Sequence, residues 1–161
     1  MNDSSTAPFQ GPSFEDDAAH AALILESFAR VTGRALLSGD RAPDAARALY
    51  EAPFVVLTHA ATADPCFTYG NRAALTLFEV TPRELLALRS RLSAEPVNQA
   101  ERQRLLDEVS RRGFIDDYAG VRVSRTGRRF RIEGATVWNL VDREGHMRGQ
   151  GATFAHWTPL G

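Results

Sequence analysis

The chain has 161 residues, 43% of them hydrophobic and 24% charged, and a formal net charge of −1, which fits one globular domain with a real core and leaves too little for two. The near-neutral balance gives no global attraction to phosphate backbones, no window approaches the ~18 consecutive apolar residues of a membrane span, and "MNDSSTAPFQGPSFEDD" lacks the basic-then-apolar layout of a signal peptide. These features predict a cytoplasmic protein with neither nucleic acid nor membrane as partner, and since all nineteen basic residues are arginines, every lysine-dependent chemistry is excluded, from Schiff bases to phosphate-binding loops.

Residues 1 to 16, rich in Ser, Pro, Asp and Gly, read as a disordered arm. From Asp17 to about Leu37, Ile24, Phe28, Val31 and Ala35 recur at helical spacing, with Gly39 as the stop. A short helix, "PDAARALYEA", follows from Pro43 and Asp44 and ends before Pro53. "PFVVLTHA" and "CFTYGN" read as a hairpin of two strands. The single cysteine, Cys66, opens the second of these strands, has no disulfide or metal-pair partner and reads as a small buried hydrophobe in a reducing compartment. "RAALTLFE" is helical, and "TPRELLAL" opens another helix with Thr81 as cap, Pro82 first and Glu84 closing a capping box. "SRLSAEPVN" interrupts the pattern before a longer helix over "QAERQRLLDEVSRR", whose stripe is Leu105, Leu106 and Val109 and whose end is Gly113. The period then changes to two, and three strands follow: Phe114 to Ser124, Arg128 to Asp142, and Gly149 to Trp157. Two strands, several helices and three strands predict an α+β domain with helices layered on an antiparallel sheet.

That order, with Asn71, Ala73 and Phe78 in "YGNRAALTLF" and Gly127, Phe130 and Gly145 at the late hairpins, resembles the PAS superfamily. More specifically, "ALYEAPFVVLTHAATADPCFTYGNRAALTLFE" together with "SRLSAEP" and "GFIDDYAGVRVSRTGRRFRIEGATVWNL" resembles the MEKHLA domain, a PAS-related family found in plant class-III homeodomain leucine-zipper proteins and as stand-alone bacterial proteins. The resemblance covers roughly residues 20 to 157. It implies a PAS-like five-stranded antiparallel sheet with helices on one face over residues 51–161, preceded by a helical extension over 17–50. It also implies a sensory or interaction module with a cleft between helices and sheet, and names no ligand.

The residues argue against two cofactors of that superfamily. A cysteinyl-flavin photosensor needs sulfur where this chain reads "RSRLSAEP", with Ser90 near the place, and a histidine-ligated haem sensor needs an axial histidine on the long helix, which has none. His20, His59, His146 and His156 show no metal-ligand spacing. Asp116 and Asp117 are adjacent on a strand and point to opposite faces, and no catalytic elbow or phosphate loop is present, so no enzyme is expected.

Strand parity places Phe130, Ile132, Gly134, Thr136 and Trp138 on the inner face, and Arg129, Arg131, Glu133, Ala135 and Val137 on the outer one beside Arg122. The candidate ligand wall is Phe67, Tyr69, Asn71, Phe78, Tyr118, Phe130 and Trp138, with Arg122 or Arg131 anchoring an acidic ligand. Each of these also has an ordinary reading, as aromatic core, as a turn cap at Asn71, or as a surface ion pair. The outer face also carries Val137 and Val141, and the Ile24 and Phe28 stripe needs a surface. Both needs are met if the N-terminal helix crosses that face in its own subunit or in a partner, the latter predicting a homodimer.

Overall fold

The computed structural model describes residues 13–38 and 44–161. The expected arm through residue 12, and the expected helix signals at Gly39 and Pro43, lie outside the described residues. The last residues of the expected arm fold as a turn of 3-10 helix, Phe14–Asp16, whose Phe14 is buried against Tyr69 with ring centroids 5.1 Å apart.

Helix α1 (Ala18–Thr32) is capped by the Asp17 carboxylate, which accepts from the His20 amide at 3.0 Å. It ends at Thr32, five residues short of the expected end at about Leu37, because Gly33 takes the left-handed conformation at φ 75° and turns the chain away. The chain continues through α2 (Ala45–Tyr50), β1 (Val55–Ala60), β2 (Phe67–Gly70), α3 (Arg72–Phe78) and α4 (Pro82–Leu86). The capping box of α4 forms as expected, Thr81 and Glu84 each accepting the other's amide. Helix α5 (Pro96–Arg112) begins three residues before the expected start, since Pro96 at its first position needs no amide partner. Strands β3 (Phe114–Val123), β4 (Arg129–Val141), β5 (Met147–Phe154) and β6 (His156–Pro159) complete the chain.

All pairings are antiparallel, in the order β2-β1-β5-β4-β3, with β6 also beside β4. The sheet thus has six strands where five were expected, because the last run breaks at Ala155. Before the break Thr153 faces Thr136, and after it His156 faces Glu133, so the bend lies across from the kinked Gly134 step of β4.

That kink corrects the expected parity. Gly120 pairs with Ile132 and Tyr118 with Ala135, so β4 holds one extra residue there, with Gly134 at φ 63°. Tyr118 pairs with Ala135 and Ile115 with Val137, so β3 then holds one extra residue in turn, with Asp117 at φ 56°. Alternation in β4 therefore inverts beyond Gly134. Ile132 and Val137 share the face under α5, while Thr136 and Trp138 turn to the opposite face.

That opposite face is covered by α1 of the same chain. Phe28 meets the Trp138 ring edge-on at 5.0 Å, Trp138 Nε1 donates to Ser27 Oγ at 3.2 Å, and His20 stacks on Tyr69 while bonding Thr58. Arg34, just past the helix, forks onto Asp116 with two bonds of 2.9 Å, and Asp116 also accepts from Thr136. The sheet lies between two helical layers, α1 on one side and α3 to α5 on the other.

Candidate ligand cleft

Between α5, the 3-10 turn Ser90–Ser93 and the sheet lies a cavity of about 70 Å³. Its walls are largely apolar, from Leu57, Phe67, Phe78, Leu105, Ile132, Val137 and Phe154. Polar groups enter from His59 on β1, Arg102 on α5, Ser90 and Ser93 on the 3-10 turn, Tyr118 and Arg122 on β3, and Gln150 on β5. Strand alternation brings Leu57 and His59 to this face together, and β5 supplies Gln150, Ala152 and Phe154 opposite them.

Four of the nine expected site residues meet here: Phe67, Phe78, Tyr118 and Arg122. The other five do not. Tyr69 and Trp138 lie on the α1 face, Trp138 because of the inversion at Gly134. Asn71 is fully buried as a structural lock, its Oδ1 accepting from the Val56 and Ala74 amides and its Nδ2 donating to the Leu49 and Phe54 carbonyls. Those bonds tie α2, β1 and α3 together and leave the side chain nothing to offer a ligand. Phe130 packs edge-on against Phe78 but faces a separate groove with Trp157 and Arg72. Arg131 is exposed, 4.0 Å from Glu133.

Arg102, His59, Ser90 and Ser93 were missed, and two of them left a signal. Arg102, Leu105, Leu106 and Val109 follow the helical spacing, so an arginine occupies the apolar stripe of α5. His59 likewise follows Val55 and Leu57 on the inward parity of β1.

The electrostatics of the cleft are unusual. Arg102 and Arg122 are only 6% and 7% exposed, yet neither enters an ion pair with a carboxylate among the described residues. Arg102 donates to Ser90 Oγ, and Arg122 donates to the Val121 carbonyl at 2.8 Å and to Tyr118 Oη at 3.1 Å. Tyr118 in turn donates to Glu101 at 2.9 Å, so Arg122 reaches that acid through a relay. Burial, helped by the like charge of Arg122, pushes the Arg102 guanidinium down to about 10. Burial also lowers His59 to about 4, against the pull of the Ala60 carbonyl and with the push of Arg102. His59 is therefore a neutral ring whose Nδ1–H donates to the Ala60 carbonyl at 3.0 Å, leaving Nε2 as an acceptor, buried and without a partner.

A flavin does not fit this site. The Ser90 hydroxyl is taken by Arg102, and about 70 Å³ does not hold an isoalloxazine ring. Cys66 is half-buried at the start of the hairpin, bridged to Arg89 by backbone bonding.

A family model described as the MEKHLA domain matches residues 18–159. The homeobox-leucine zipper proteins ATHB-9 and ATHB-14 of Arabidopsis thaliana are 31% and 28% identical to the chain over 99 residues, which is 60% of this chain and 11% of each plant protein. Among solved structures, a PAS domain of a protein from Colwellia psychrerythraea superposes with a TM-score of 0.61 at 12% identity, covering 71% of this chain and 94% of that one. A light-oxygen-voltage domain studied with a flavin analogue gives 0.57 at 18% identity, covering 76% and 89%, and a PAS domain from a two-component sensor histidine kinase gives 0.53 at 19%, covering 70% and 89%. At these identities the structures establish a PAS-like fold, and the match over residues 18–159 shows that the chain belongs to the MEKHLA family.

Proposed function

We propose that the chain is a non-enzymatic signal-input module, working in the cytoplasm, that receives a small molecule in the cleft between α5 and the sheet. The observation that carries this reading is the convergence of two buried guanidiniums without acid partners and an unpartnered imidazole nitrogen on one cavity. A buried charge with no counter-ion is costly, and a fold gains nothing from two of them side by side unless something else supplies the partner. The arginines outside the cleft behave differently. Arg125, Arg128 and Arg129 pair with Glu84, Glu79 and Glu95, which supports a solvated ionic surface and no phosphate-binding face.

Native mass spectrometry of the protein as purified, set against its denatured mass, tests the reading. An extra mass lost on denaturation is the expected result, and a bare chain that also gains no mass from added metabolite extract overturns it.

A second reading rests on the cavity volume. About 70 Å³ lies well below the ~300 Å³ of common ligand sites, which favours an interaction module with a filled core. A homodimer is its simplest form. Since the apolar stripe of α1 already covers its own sheet, dimerisation would use other surfaces or an exchange of α1 between subunits. A bare mass at twice the chain would favour this reading.

A further inference from the structure

We infer that the ligand is a compact hydroxycarboxylic acid, its carboxylate held between Arg102 and Arg122 and its hydroxyl donating to His59 Nε2; this rests on the cleft being a ligand site. The two guanidiniums set the sign of the charge. Both line the same cavity, both are buried, and the acids around them are committed elsewhere: Asp64 to Arg91 at 3.0 Å, Glu101 to the Tyr118 hydroxyl, and Asp107 to Gln103. An anion between Arg102 and Arg122 relieves their mutual repulsion and accepts charge-assisted bonds from both. The walls set the type of anion. With Leu57, Phe67, Phe78, Val137 and Phe154 around the head site, a phosphate would set its remaining oxygens against hydrocarbon, whereas a carboxylate has an apolar side to present.

The imidazole adds the hydroxyl. Because Nδ1–H is spent on the Ala60 carbonyl, the orphan Nε2 can only accept, and it needs a donor that a plain carboxylate lacks. His59, Arg102 and Arg122 line one cavity of about 70 Å³, which puts acceptor and anion site within one small molecule's reach. The volume sets the size, a body of a few carbons.

The test is calorimetry on the full chain with two probe sets of three compounds each: lactate with propionate and lactamide, and β-hydroxybutyrate with butyrate and β-hydroxybutyramide. The expected result is that a hydroxy acid binds, that its deoxy analogue binds about tenfold more weakly, and that the neutral amide binds at least about a hundredfold more weakly. Arg122→Met should abolish hydroxy-acid binding while Arg131→Met leaves it unchanged, with circular dichroism confirming that both variants fold. His59→Phe should remove the tenfold preference for the hydroxyl and keep the preference for charge. An amide that binds as well as its acid, or a neutral compound found by native mass spectrometry, overturns the anion assignment and leaves the cleft as a ligand site. No binding by any probe, together with a bare native mass, overturns both.

Discussion

The two faces of one sheet solve the burial of polar groups in opposite ways. Under α1 nearly every buried polar atom meets another: Trp138 with Ser27, His20 with Thr58, and Thr136 with Asp116 and Arg34. Among the described residues Tyr69 Oη is the exception there, and burial pushes that phenol far upward, so it stays neutral. Under α5, guanidiniums are buried with hydroxyls and a single backbone carbonyl for company, and an imidazole nitrogen is buried without a hydrogen-bond partner. A matched polar group reads as architecture; an unmatched charge reads as half of an interaction.

The comparison breaks most visibly at Trp138. Trp138→Ala should cost about 3–5 kcal/mol in urea unfolding while leaving any cleft ligand bound, because the ring belongs wholly to the α1 side. Next comes pH. His59 is neutral in the folded chain down to about pH 4, whereas in the unfolded chain it takes up a proton near 6.5, so the unfolded state binds more protons between these values. The stability it contributes is complete above pH 6.5 and is lost as pH falls from 6.5 towards 4, by about 3 kcal/mol at most. His59→Leu should flatten that slope in pH-dependent thermal unfolding, and an unchanged slope would place His59 in contact with water.

Arg102→Met sharpens the contrast by its sign. Replacing an unpaired buried charge with an apolar chain of similar length should stabilise the ligand-free protein, by about 1–3 kcal/mol. A comparable loss instead would mean that Arg102 is satisfied as it stands. The smallest effect belongs to Arg34→Ala, which removes the fork onto Asp116. As both side chains are nearly half exposed, the expected loss is below about 1 kcal/mol and shrinks further in high salt.

The architecture was readable where local chemistry decides it. The capping box at Thr81 and Glu84, the stop at Gly113 and the period change after it were all visible, and they brought the helices and strands within a few residues of their places. The faces of β4 were not, because parity holds only while the ladder is regular. One residue in a left-handed conformation at Gly134 moved Trp138 from the expected site to the opposite face and brought Val137 in. Arg102 was hidden for another reason. A charged residue on an apolar stripe is commonly discounted as a long side chain that reaches water, and only the packing of α5 over the cavity reveals that this one does not.

The pairing of Ser27 with Trp138 spans 111 residues, and it sets the order of events during synthesis. Helix α1 leaves the ribosome early, but β4, which brings Trp138 to its stripe, emerges 111 residues later; at about 5–20 residues per second the wait is roughly 6–20 seconds. Until then Phe28 lacks the Trp138 edge that it packs against in the finished protein, so this part of the core closes only after most of the chain has been made.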